Sequence, residues 1–206
     1  MMNINEMFLK KNYEILRNKL DLDIKNNADS LNHTISNFVD LKAIGLNKYI
    51  TETYTDLNIK YKEDKLKKLI ESESKTLKNI FSKNIEDRKE KISDFFNQDI
   101  DVTKVEDDYL TNYHQHIDNL TETFKNNIEL STREEICTKF SEAVVELYKL
   151  PTQYSKEKLL EYINKSYCNS IIEKIVSESI LRNSTLKNLS SEAFERFKSM
   201  NEKAVI

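Results

Sequence analysis

The sequence predicts an all-α protein, an elongated bundle of long antiparallel helices with coiled-coil-like hairpins. Three observations carry that expectation. The 206 residues contain one glycine, Gly45, and one proline, Pro151; these two residue types make sharp turns and close backbone approaches to ligands. Apolar residues recur at steps of three and four, the spacing of one helix face, through most of the chain. No segment reads as a strand. The periodicity is the stronger argument, because 27 Lys and 22 Asn beside only 5 Arg and 5 Ala indicate an AT-rich codon bias that depletes glycine and proline by itself.

The first seam runs Leu16, Leu20, Ile24, Ala28, Leu31, Ile35 and Phe38. Asn3 with Glu6 has capping-box spacing and starts this helix. The stripe weakens between Lys42 and Gly45, then resumes at Leu46, Tyr49, Thr53 and Leu57. Two helices follow from this, 5–41 and 46–60, meeting at a joint around Gly45. A third helix is expected over 62–98, with Leu66, Ile70, Glu73, Leu77, Ile80, Ile85, Ile92 and Phe95 or Phe96 inward. The polar interval Glu86 to Lys91 predicts sparse packing there. Residues 97–102 read as a turn, and Thr103 with Glu106 forms a second capping-box spacing. The helix at 104–129 carries Leu110, Tyr113, Ile117, Leu120, Phe124 and Ile128, and its short connection makes an antiparallel hairpin with 62–98.

Ser131 with Glu134 is expected to open the next helix, with Ile136, Phe140, Val144 and Leu147 inward and Pro151 at its end. Ser155 caps the following one, which carries Leu159, Ile163, Ile171, Ile175 and Leu186. A polar stretch, Asn183 to Ser191, then precedes a last helix with Phe194, Phe197 and Met200. Two regions are expected, a long-helix hairpin region at 1–130 and a C-terminal helical lobe at 131–206, unless the two form one continuous domain.

Composition narrows the function classes. The net charge of −3 does not favour nucleic acid. The local distribution is uneven: residues 60–91 hold eleven Lys/Arg against seven Asp/Glu, whereas 94–135 hold eleven acids against three bases. That asymmetry suits helix pairing or steering of a partner. No apolar run is long enough to span a bilayer, and the N-terminus lacks the apolar stretch of a secretory signal. A cytoplasmic location is therefore expected, or export by a route independent of a signal peptide. Cys137 and Cys168 sit among apolar neighbours without metal-like spacing and read as buried free thiols.

Candidate chemistry is thin. Asp99, Asp101, Glu106, Asp107 and Asp108 start like a calcium loop, but Lys104 and Leu110 stand where that loop needs glycine and glutamate. These acids fit a helix N-terminus instead. His114 and His116 lie two apart and do not share a helix face. His114 with Asp118, and Asp108 with Asn112, do share one, but would need further ligands to hold zinc. Nothing in the sequence activates Cys137 as a nucleophile. The basic patch Lys60-Tyr61-Lys62 with Lys65, Lys67 and Lys68 is interrupted by Glu63 and Asp64 and reads as a solvated face. Met7-Phe8-Leu9-Lys10-Lys11 has the character to touch a membrane surface, though packing into the bundle is the plainer reading. No metal, cofactor or small-molecule substrate is expected, and no convergent acid, base and nucleophile can be named.

One segment is distinctive. From Ile35 it reads Ile35-Ser36-Asn37-Phe38-Val39-Asp40-Leu41-Lys42-Ala43-Ile44-Gly45-Leu46-Asn47-Lys48-Tyr49-Ile50-Thr51-Glu52-Thr53-Tyr54. It resembles the N-terminal region of the LXG family, polymorphic toxins of Gram-positive bacteria exported by the type VII secretion system. There an Ile-x-x-Phe helix leads to a Leu-x-Gly element, whose place is taken here by Ala43-Ile44-Gly45, and a Lys/Tyr-containing amphipathic helix follows. Val105-Glu106-Asp107-Asp108-Tyr109-Leu110, with Ile117 and Leu120, is similar to that family's later helix. The resemblance covers residues 5–130. It implies a helical targeting domain that binds small helical partner proteins, with the Gly45 joint in the recognition surface.

The expectation that follows is a non-catalytic helical interaction module, not an enzyme. Leu41, Ile44, Gly45, Leu46, Tyr49 and Tyr54 are the candidate partner-binding residues, with Leu46, Tyr49 and Tyr54 part of an apolar stripe that the monomer leaves uncovered. The alternative is a self-assembling intracellular scaffold or regulator, as in a phage or plasmid of an AT-rich host. A nucleic-acid-binding regulator acting through Lys60 to Lys91 is the third reading.

Overall fold

The computed structural model describes residues 4–54, 59–105 and 107–203. The fold is all-α, and no strand occurs among the described residues. Helix α1 spans Ile4–Thr53, α2 Ile59–Ser93, α3 Asp107–Leu130, α4 Thr138–Tyr148, α5 Gln153–Tyr162 and α6 Ser170–Glu202. Short 3-10 turns at Asp94–Asn97 and Val102–Lys104 occupy the α2–α3 connection. Two π-helical segments, Ser131–Cys137 and Ile163–Asn169, carry α3 into α4 and α5 into α6. The residues flanking each are right-handed helical, so the backbone never leaves the helix.

Several expected boundaries are absent. Helix α1 passes through Gly45 without a joint, and Gly45 has no positive φ. Val39 and Leu46 on either side of it are buried on one face, and this packing outweighs the single weak helix former. Ser131 and Glu134 open no helix: they lie in the first π segment. The polar stretch Asn183 to Ser191 lies inside α6, held by Leu186 and Ser190, both buried. Two capping boxes involve Asn3 and Glu106, which lie outside the described residues, as does Leu57. Asp101 instead caps the 3-10 turn, accepting from the Thr103 N–H at 3.1 Å.

The reversal between α4 and α5 is where the chain needs a special conformation. Lys149 adopts φ 44° and ψ 50°, the left-handed helix cap glycine usually fills, and its N–H donates to the carbonyls of Val145 and Glu146. Pro151 then prevents continuation. Thr152, not Ser155, is the cap of α5: its side chain accepts from the Ser155 N–H at 3.1 Å.

The chain divides into two compact units. The first comprises Met1–Leu31, Ile85–Phe124 and Ser179–Ile206. Its core is Tyr13, Leu16, Leu20 and Ile24 of α1 against Ile92, Phe96, Tyr113, Ile117, Leu186, Phe194 and Phe197. Hydrogen bonds show antiparallel pairing. Asn12 donates to Asn201 and Asn27 to the Arg182 carbonyl, each at 2.8 Å, which pairs α1 with α6. The Arg88 guanidinium donates to Thr121 Oγ1 at 2.9 Å, and His116 Nε2 to the Lys91 carbonyl at 2.7 Å, which pairs α2 with α3. Packing in the interval Glu86 to Lys91 is therefore not sparse, because Arg88 and Thr121 are both buried. Burial lowers the Arg88 pKa to about 10.

The second unit comprises Asn32–Asn84 and Lys125–Glu178. Ile35, Val39, Leu46 and Ile50 of α1 point inward with Leu66, Ile70, Leu77 and Phe81 of α2. Ile136, Phe140, Val144 and Tyr148 come from the first π segment and α4, and Leu159, Ile163, Tyr167, Ile171 and Ile175 complete the core. Cys137 and Cys168 are buried as expected, but they are not free: they form a disulfide with Cα atoms 6.1 Å apart. The π segments place both sulfurs on facing turns. Thr138 and Ser170 hydroxyls donate to the carbonyls five residues back, Arg133 at 3.3 Å and Lys165 at 3.4 Å, which helps satisfy the groups a widened turn leaves loosely bonded.

Candidate helix-docking ridge on α1

Residues 41, 44, 45 and 48 share one face of α1, because steps of three and four bring side chains into line. Within the second unit that face points outward. Leu41 is 63 % and Ile44 68 % exposed, and Gly45 is exposed beside them. A Cβ at Gly45 would meet nothing within 4 Å. Neither turn, backbone dihedral nor crowding within the chain requires glycine here, although glycine in a helix interior is less favourable than alanine by about 1 kcal/mol.

Grooves flank the ridge. One, of about 500 Å³, lies between α1 and α2 and is lined by Ala43, Ile44, Asn47, Ile70 and Ser74. Its rim carries Lys67, Lys75 and Lys78 against Asp40 and Glu71. Lys78 pairs with Asp40 and Lys67 with Glu71, the latter at 4.0 Å. The other, of about 310 Å³, lies between α1 and the second π segment and is lined by Leu41, Gly45, Leu46, Tyr162, Ser166 and Tyr167. Tyr167 and Ser74 are hydrogen-bonded hydroxyl to hydroxyl at 3.3 Å, so the floors of the two grooves touch.

The polar groups beneath are incompletely satisfied. Asn47 Oδ1 and Glu73 Oε1 are buried without a hydrogen-bond partner. Burial raises the Glu73 carboxyl to about 7. Burial also raises the Tyr167 phenol to about 12, with the Glu73 and Asp40 charges adding to it.

Of the candidate partner-binding residues, Leu41, Ile44 and Gly45 are thus exposed together on this ridge. The rest of the expected uncovered stripe is covered. Leu46 is buried, Tyr49 stacks on Tyr162 with centroids 3.4 Å apart, and Tyr54 packs on Tyr148 at 5.6 Å. Leu46 still reaches a groove wall from below.

Most of the remaining candidates are engaged in contacts within the chain. His114 Nε2 lies 2.8 Å from Ser190 Oγ, and Asp118 accepts from Lys187 at 2.9 Å and Asn183 at 2.8 Å, so this pair ties α3 to α6. No group of three or more His, Cys, Asp and Glu suited to a metal occurs among the described residues. In the basic patch, Lys65 lies over the Tyr61 ring at 4.2 Å and Lys62 over Tyr148 at 5.7 Å. At the N-terminal end Leu9 packs on the first core, whereas Met7 and Phe8 are exposed. No helix among the described residues is long and apolar enough to cross a membrane.

No family model matches the chain, and no curated protein or solved structure matches it. Two features of the site had no usable sequence signal. The π segments carry no recognised residue pattern, and Glu73 reads from spacing as an ordinary seam position. The Cys137–Cys168 pairing had a partial one, since both residues fall on inward positions.

Proposed function

We propose that the chain is a non-catalytic helical interaction module that receives a helix of a partner protein on the Leu41–Ile44–Gly45 ridge. The observation that carries this reading is Gly45: an exposed mid-helix glycine whose missing Cβ nothing within the chain requires, one turn from exposed Leu41, next to exposed Ile44, and lining the groove along the second π segment. A residue lacking Cβ lets a second helix backbone approach, and Leu41 and Ile44 supply the apolar area such a contact buries. The rim lysines and carboxylates would set the register of the incoming helix. The resemblance to LXG N-terminal regions gives the role its setting. The module would target a protein to type VII secretion by binding small helical partners.

Co-expression of the chain with any small helical proteins found encoded beside its gene, followed by co-purification, tests this reading. A stable complex lost in the L41D/I44D double variant supports it. A complex indifferent to that variant removes the ridge from the interface.

A second reading has its own support. Phe8, Ile15 and Leu22, seven residues apart on α1, are each exposed, with Ile4 beyond them. Seven-residue spacing of apolar side chains suits a coiled-coil contact, including one with a copy of the same chain. Light scattering of the isolated chain at two salt concentrations separates the readings, since self-assembly on this stripe gives a defined, salt-insensitive oligomer.

A further inference from the structure

The Cys137–Cys168 disulfide sits where it can govern the groove. Cys137 closes the first π segment and Cys168 lies in the second. Next to Cys168 is Tyr167, which walls the groove beside Gly45, holds Ser74 at 3.3 Å and packs on Phe140 at 5.5 Å. Arg133 donates to Asn169 at 3.0 Å, a second tie between the same two segments. A π turn holds one residue more than an α turn and persists only while its surroundings favour it. The disulfide is a covalent part of those surroundings. Without it, the extra residue can shift along the helix, and a one-residue shift turns Tyr167 by about 100° about the helix axis.

We propose that Cys137 and Cys168 form a thiol–disulfide switch that fixes the second π segment, and with it the Tyr167 wall of the groove, in the oxidised chain and releases it on reduction. Oxidation by a low-molecular-weight disulfide, RSSR, proceeds in two exchanges. The thiolate of one cysteine attacks a sulfur of RSSR, forming a mixed disulfide and expelling one RS⁻. The second cysteine thiolate attacks the protein-bound sulfur, forms the Cys137–Cys168 bond and expels the other RS⁻. The two cysteine protons end on the two RSH products, and two electrons pass from the protein to RSSR. Both cysteines are at most 3 % exposed, so exchange waits on local opening of the two π segments. The bearing of the switch on partner binding rests on the interaction reading above. The switch itself is measured without any partner.

The test is amide hydrogen exchange with mass spectrometry on the full chain, equilibrated with glutathione disulfide or with dithiothreitol. Cysteine state is read by alkylation under denaturing, non-reducing conditions, and helicity by circular dichroism. The expected result is one intramolecular disulfide after oxidation. On reduction, exchange in 131–137 and 163–169 becomes about tenfold faster or more at constant helicity, while the C137S/C168S variant shows the fast pattern in both conditions. Two free thiols after oxidant, or exchange unchanged by reduction, would overturn the proposal. Loss of helicity on reduction would overturn it too, making the bond a staple rather than a switch. Failure of the L41D/I44D co-purification test leaves all of these readouts unaffected, so the two readings fail separately.

Discussion

The hydroxyls of Ser74 and Tyr167 meet at 3.3 Å in the interior of the second unit, and through them the groove on the α2 side of Gly45 touches the groove on the π-segment side. Both residues are buried, and each lines one groove, so the pair closes the two grooves from beneath. Tyr167→Phe keeps the ring against Phe140 and removes the contact, leaving Ser74 Oγ without that partner. Stability should fall by about 0.5–1.5 kcal/mol, read as a lower urea midpoint with an unchanged slope.

Gly45→Ala should act in the opposite direction. The added methyl meets nothing in the chain and raises helix propensity, so unfolding free energy should rise by about 0.5–1 kcal/mol. Under the docking reading the same variant, and Gly45→Leu more strongly, should weaken capture of the helical partner. Thermal melts and co-purification on the same samples show whether stability and binding part in this way.

Arg88 and Thr121 test the first unit. Thr121→Val leaves a buried guanidinium without its acceptor and should cost about 1–3 kcal/mol. Arg88→Met removes the charge while keeping most of the volume, and should cost less. Equal losses in urea titrations would mean that the long stem of Arg88, not its hydrogen bonds, is what the core uses.

Glu73 gives a pH signature. Its folded pKa stands near 7 against 4.5 for the free side chain, because burial disfavours the carboxylate. Between those values the folded chain binds more proton than the unfolded one. Stability therefore falls as pH rises from about 4.5 to about 7 and levels off above. Glu73→Gln should flatten that part of the profile and raise the melting temperature at pH 8. Melting curves of both proteins from pH 4.5 to pH 8 provide the comparison.

Leu41→Asp with Ile44→Asp should leave the melting temperature of the isolated chain nearly unchanged, within about 0.5 kcal/mol of unfolding free energy, because both side chains already face solvent. A large loss of stability would mean that the ridge packs against something within the chain.

The helical faces were legible because they rest on repeated burial: Leu16, Leu20, Ile24 and Leu31 all proved to be core positions. Pro151 was legible as a stop because its ring forbids continuation. What failed were inferences from single residues. Gly45 suggests a break, yet the buried residues on both sides keep the helix whole. Ser131 and Glu134 have the spacing of a cap in the middle of a continuous helical stretch. Asn183 to Ser191 reads as a polar gap because its inward positions, Leu186 and Ser190, are few and one of them is a hydroxyl. On the ridge, Leu41, Ile44 and Gly45 are singled out by the resemblance of the segment around Gly45, not by the spacing of the seam. The covering of Tyr49 by Tyr162 and of Tyr54 by Tyr148 is long-range and has no local trace.

The core of the first unit joins Tyr13, Leu16 and Leu20 to Phe194 and Phe197, and Asn12 bonds to Asn201 across 189 positions of sequence. During synthesis the early half of α1 therefore emerges long before the residues that cover it. Its apolar face must wait, exposed to the ribosome surface and to holding chaperones, until the last turns of α6 are released. The hairpin at Arg88 and Thr121 can close well before then. Assembly of this unit is thus timed by the synthesis of α6, and a pause before α6 is made would prolong the interval in which the nascent chain is most prone to aggregate.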